Sequence, residues 1–107
     1  MKIKIPSFLK IGGHDFRVVL DDTSDGFGRR AEIDYKRLEI RIVPNKHHSV
    51  KSQGLIHELV HAINLIYLNR QIDTENIIEP LAEGIWQFLE QLGIEFNFDE
   101  LTDESKQ

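Results

Sequence analysis

The chain contains no cysteine. That single absence excludes disulfide frameworks, thiolate zinc ribbons, iron–sulfur clusters and cysteine nucleophiles, so any metal has to be held by histidine and carboxylate. Long apolar runs are missing too. Nothing approaches the roughly 18 apolar residues of a membrane span, and no apolar core of a signal peptide follows the basic start Met1-Lys2-Ile3-Lys4-Ile5-Pro6. These absences predict a cytoplasmic protein with no membrane contact. Positive charge is also in short supply. With 13 Lys+Arg against 18 Asp+Glu and a net charge of −5, a general phosphate-binding surface is disfavoured and no nucleic-acid partner is expected.

What is present is 107 residues, 40% of them apolar, enough for one domain with its own core. The charge is unevenly placed. Residues 1–51 carry 11 Lys+Arg and 7 Asp+Glu, whereas residues 52–107 carry 2 and 11. The acidic half suits a cation site, although solvated acidic helices give the same count.

The first half reads as strands. Gly12-Gly13 lies between Phe8-Leu9 and the run Phe16-Arg17-Val18-Val19-Leu20, which is a hairpin signal. Residues 21–28 are polar and loop-like, with Phe27 as their single anchor. Ala31-Glu32-Ile33-Asp34 and Leu38-Glu39-Ile40-Arg41-Ile42-Val43 alternate apolar with charged and form a second hairpin, ended by Pro44. The second half changes period. Leu55, Leu59, Ala62, Ile63 and Ile66 recur at three and four, predicting a helix over about 49–69 capped by Ser49. A second helix, about 75–92 and capped by Asp73 or Thr74, is predicted to bury Ile78, Leu81, Ala82, Ile85, Phe88, Leu89 and Leu92, with Gly93 as its stop. The fold class is therefore α+β: a small N-terminal antiparallel sheet of three or four strands packed by two long helices. One domain is expected over residues 1–97, followed by an acidic, frayed tail over 98–107.

Within the first helix stands His57-Glu58-Leu59-Val60-His61. Two histidines four apart on a helix lie on one face, one turn apart, so both imidazoles reach a single metal ion. Gly54, one turn earlier, leaves room beside that face. A catalytic zinc needs a third protein ligand and one open position. No histidine follows His61, which excludes a three-histidine arrangement downstream and leaves carboxylates. Glu75, Glu79 and Glu83, spaced by four, share one face of the second helix. If that helix begins near residue 75, Glu75 is available, but Pro80 then falls inside it. If it begins at Pro80, Glu79 or Glu83 takes the role.

His57-Glu58-Leu59-Val60-His61 followed by Glu75-Asn76-Ile77-Ile78-Glu79 resembles the gluzincin metallopeptidases, whose second helix supplies a glutamate ligand. The resemblance implies Glu75 as third ligand, and Glu79, four residues on, as the carboxylate that supports a zinc-bound histidine. Residues 30–92 are similar to minimal, often phage-encoded zinc-peptidase-like proteins, which implies a sheet and two helices in a zincin-like core. The expected activity is peptide-bond hydrolysis with one zinc ion and a polypeptide substrate, Glu58 acting as general base on the water at the metal. Tyr67, Tyr35, His47 and His48 are candidates for a second electrophile beside the metal. His14, next to the Gly-Gly turn, reads as structural or solvated. The strand Leu38–Val43 is a candidate edge for an extended substrate. The alternative is a catalytically inactive, metal-stabilised binding module, or one activated only by a regulatory protein partner.

Overall fold

The computed structural model describes residues 1–22, 29–72 and 75–106. Phe27 and the predicted helix caps Asp73 and Thr74 lie outside the described residues. Among the described residues the strands and α-helices are, in order, β1 (Lys2–Lys4), β2 (Phe8–Ile11), β3 (His14–Leu20), β4 (Ala31–Asp34), β5 (Glu39–Ile42), α1 (His48–Ile66), α2 (Glu75–Gln91) and β6 (Glu95–Asn97), followed by a 3-10 turn at Glu104–Lys106. The fold is α+β, as the change of period implies.

The sheet is mixed, which corrects the antiparallel expectation. Its order is β2-β3-β5-β4, with β2–β3 and β4–β5 antiparallel and β3–β5 parallel. Both predicted hairpins form, but the second docks through its later strand. The reason is composition: β5 brings Ile40 and Ile42, each 0% exposed, and takes the centre. β4, carrying Glu32 and Asp34, takes the edge, where charge is tolerated. The strand expected to present a free edge, β5, is therefore interior. Two positive-φ glycines, Gly12 (59°) and Gly13 (86°), make the β2–β3 turn. A Cβ on Gly12 would run into Ile66 at the end of α1, so this turn has to be bare where the helix passes.

Helix α1 begins two residues earlier in its cap than predicted: the His47 side chain accepts from the Ser49 N–H. Its sheet face places Leu55 and Ala62 on Phe16, Val18, Ile40 and Ile42. Its opposite flank sends Ile56 and Val60 against Ile78, Ala82 and Trp86 of α2. The layers run sheet, α1, α2. Helix α2 is continuous through Pro80, so the start at Glu75 holds. Of the residues predicted to be buried on α2, Ile78 and Ala82 are and Leu89 is half-buried, with Trp86 buried beside them; Leu81, Ile85, Phe88 and Leu92 are exposed. The apolar arc of α2 is wider than α1 can cover.

The segment expected to fray is packed. After the parallel pair β1–β6, Phe98 and Leu101 are 4% and 6% exposed and join the core. Leu20 N–H donates to Thr102 O at 2.9 Å, and Arg17 pairs with Glu104 at 3.1 Å. Two apolar anchors inside an acidic stretch outweigh its charge.

Candidate metal centre

Three side chains from two helices converge. His57 and His61 stand one turn apart on α1 with their Nε2 atoms 3.2 Å from each other. Glu75, the first residue of α2, brings Oε1 to 2.5 Å from His61 Nε2 and Oε2 to 3.0 Å from His57 Nε2. His57, His61 and Glu75 thus form a group that could hold a metal ion, one donor atom from each lying within 4.8 Å of the others. Histidine nitrogens and a carboxylate oxygen suit divalent transition metals.

The approach of α2 depends on the chain between the helices. Asn69 and Arg70 adopt positive φ (49° and 61°) and turn the chain out of α1. Asn64, buried at 6% exposure, then holds the returning backbone from both sides. Its Oδ1 accepts from Ile72 N–H at 2.9 Å, and its Nδ2 donates to Ile72 O. That fixes the chain three residues before Glu75. The signal for Asn64 in the sequence is a polar amide on the face shared with His57 and His61, at a spacing of four and three.

Behind the cluster, His57 Nδ1 lies 2.6 Å from Glu79 Oε2. Arg30, next to the start of β4, donates to Glu79 Oε1 at 2.6 Å and also lies 3.2 Å from the same imidazole nitrogen. Both cannot pair with Nδ1 at once. The anionic oxygen is nearer, so Nδ1–H donates to Glu79 and the Nε2 lone pair is turned toward Glu75. Burial pushes the Glu79 carboxyl up, but the Arg30 hydrogen bond and charge, then His57, outweigh it, so it sits below the usual carboxylate range. Glu79 is thereby placed behind His57, and Glu83 takes no part in the three-donor group. Arg30 has no motif around it; only the adjacent basic pair Arg29-Arg30 ahead of an alternating strand marks it.

The cluster lies in a cleft of about 890 Å³ lined by β4, α1 and the start of α2. Glu58 lines it as well, although only 7% exposed. Burial pushes its carboxyl up to about 7, opposed by His57, reinforced by Glu75, and again opposed by Arg30. A buried carboxyl raised in this way beside His57 marks a candidate for proton transfer. Tyr35 also lines the cleft; burial, then the Glu58 charge, raise its phenol above the ordinary range. The other electrophile candidates lie elsewhere. Tyr67 Oη accepts from Gly12 N–H at 3.0 Å, His47 caps α1, and His48 faces Glu95 at 4.0 Å. Exposed His14 opens β3. At Gly54 the room is filled by the sheet: an added Cβ would meet Arg30 Cγ at 3.1 Å and Ala31 Cβ at 3.2 Å. The glycine lets β4 approach α1 and carries Arg30 to His57.

Comparison with protein families, curated proteins and solved structures found no match. Among the described residues, no helix is long and apolar enough to cross a membrane.

Proposed function

We propose that the chain is a small zinc metallopeptidase of the gluzincin type. The observation that carries this reading is the convergence of His57 and His61 Nε2 with the Glu75 carboxylate in a cleft that also buries Glu58. The donor set fits zinc. Bonds of about 2.0–2.1 Å in a tetrahedron give edges of about 3.3 Å, close to the 3.2 Å between the two Nε2 atoms and between His57 Nε2 and Glu75 Oε1, whereas the His61–Glu75 edge of 2.5 Å has to open for an ion to enter. Glu79 on His57 Nδ1 is the outer carboxylate that metal-binding imidazoles usually have.

Zinc held by these three side chains would supply Lewis acidity toward a peptide carbonyl and a water molecule. Glu58 takes the proton from the attacking water and returns it to the leaving amine, a role that its place in the cleft beside His57 suits. Tyr35 donates its phenolic hydrogen bond to the oxygen that becomes negative. Arg30 and Glu79 hold the imidazole of His57. β4, the terminal strand whose residues line the cleft, takes the part assigned from sequence to β5 and aligns an extended polypeptide by main-chain hydrogen bonds.

The test is Glu58→Gln in the zinc-loaded protein, assayed against an unfolded polypeptide. Zinc content should be unchanged and cleavage should fall by about 10²–10⁴-fold, with a smaller fall in Tyr35→Phe. Equal cleavage by wild type and Glu58→Gln would remove Glu58 from the role of base, and cleavage by neither protein would replace the enzyme with a metal-stabilised binding module.

A further inference from the structure

The apolar arc of helix α2 continues past its buried face into a flank that α1 leaves uncovered. Ile77, Leu81, Ile85, Phe88 and Leu92 are 51%, 42%, 38%, 62% and 57% exposed, and their spacing of four, four, three and four keeps them on one side of about 22 Å of helix. Together they leave on the order of 400 Å² of apolar surface in water, a size at which a monomer's largest patch usually marks an interaction site.

Gly84 stands in the same stripe. It is exposed, and a Cβ there would meet nothing within 4 Å. A glycine inside a helix is destabilising relative to alanine, and among the described residues neither a turn nor a close neighbour requires it. Close approach by a second backbone does require a bare position.

The stripe is also its own complement when reversed. About a point midway between Gly84 and Ile85, Ile77 exchanges with Leu92, Leu81 with Phe88, and Gly84 with Ile85. An antiparallel copy of α2 therefore sets each large side chain opposite another and seats Ile85 over the notch at Gly84. Along the outer flank of the stripe, Asn76, Pro80, Gln87 and Gln91 are uncharged, so the pairing brings no carboxylates face to face there. Glu75 and Glu79 lie about half a turn round the helix from the stripe, so the cleft stays open.

We propose that this protein forms an isologous, two-fold dimer through the exposed face of α2, paired antiparallel across Gly84 and Ile85. A second copy is the occupant because the pattern is symmetric under reversal, as an isologous contact demands. Two such stripes with their amide flanks reach the roughly 1,000 Å² total of a specific interface. The inference does not depend on the peptidase reading.

The experiment is sedimentation velocity of the full chain across the micromolar range, beside Leu81→Glu, Phe88→Glu, Ile85→Cys and Ile77→Cys. Wild type should sediment as a dimer. Leu81→Glu and Phe88→Glu, both at exposed positions, should sediment as monomers with unchanged helical circular dichroism. Because the chain has no cysteine of its own, oxidation should link Ile85→Cys, close to the two-fold axis, into a covalent dimer. Ile77→Cys, more than about 20 Å along the helix from its copy, should stay unlinked. A wild type that is monomeric throughout, with or without another protein bound to this face, overturns the proposal. So does a dimer that survives Phe88→Glu, or cross-linking of Ile77→Cys as readily as Ile85→Cys.

Discussion

The sheet-facing side of α1 and its cleft-facing side bury opposite kinds of group. Toward the sheet, Leu55 is 1% exposed and Ala62 0%, packed among Phe16, Val18, Ile40 and Ile42. Toward the cleft, the same helix withdraws His57 (8%) and Glu58 (7%) from water, next to the carboxylates of Glu75 and Glu79. The first side follows from the hydrophobic effect alone. The second works against it, since burying a carboxyl without a neutralising partner costs stability. One helix therefore carries a side that holds the fold and a side that the fold has to support.

The widest separation between the two sides comes from truncation. Leu55→Ala should lower the stability of the metal-free protein by about 2–5 kcal/mol in urea unfolding, whereas His57→Ala should cost less than half of that and abolish metal binding. Equal losses would break the contrast.

A second difference appears in pH. The Glu58 carboxyl is raised from 4.5 to about 7 in the folded chain, so the folded state holds a proton that the unfolded state has released. The associated stability is fully present below about pH 4.5 and is lost as the pH rises through about 7. In metal-free protein, Glu58→Gln should match wild type at pH 4 and exceed it at pH 8 by up to about 3 kcal/mol. Urea midpoints at the two pH values, read as the difference between the proteins, measure this. A constant difference would mean that Glu58 is not held in an apolar setting.

Asn64→Ala sharpens the comparison at the link between helices. Leaving the Ile72 N–H and C=O without the amide should cost about 1–2 kcal/mol. It should also weaken metal binding by roughly 10-fold, as loss of supporting contacts around ligands does, because Glu75 is no longer delivered to the histidines. Calorimetric titration with zinc reads both parts if thermal unfolding is followed alongside.

The smallest effect belongs to Gly54→Ala. Helix propensity favours alanine by about 1 kcal/mol, and the contacts at 3.1 and 3.2 Å with Arg30 and Ala31 oppose it. The net change in melting temperature should be slight. Gly54→Val should be clearly destabilising, since β4 and Arg30 would both have to withdraw.

Those five positions also show what a sequence carries and what it hides. The core side of α1 is legible because Leu55, Leu59, Ala62 and Ile66 repeat at three and four. The pair His57 and His61 is legible because spacing of four on a helix fixes their mutual placement before any tertiary contact forms. Glu75 as their partner rests on the continuity of α2 through Pro80, a long-range result to which local propensity is blind. Arg30 and Asn64 stay hidden for the same reason: their roles come from β4 crossing Gly54 and from the return of the chain at Ile72. The parallel pairing of β3 with β5 also depends on which strand of a hairpin docks, and alternation does not encode that. The outward stripe of α2 looks like core in sequence because periodicity records that a face is apolar, not what covers it. In the last segment, the acidic composition conceals Phe98 and Leu101.

The central claim, that His57, His61 and Glu75 together hold one zinc ion, is tested most directly by metal analysis of the protein purified without chelator. Wild type should be set beside His57→Ala, His61→Ala, Glu75→Ala and Glu79→Ala. The account predicts close to one zinc per chain in wild type, loss of zinc in both histidine variants and in Glu75→Ala, and weakened but measurable binding in Glu79→Ala. A wild type without zinc, or a Glu75→Ala protein that retains it in full, would contradict the account.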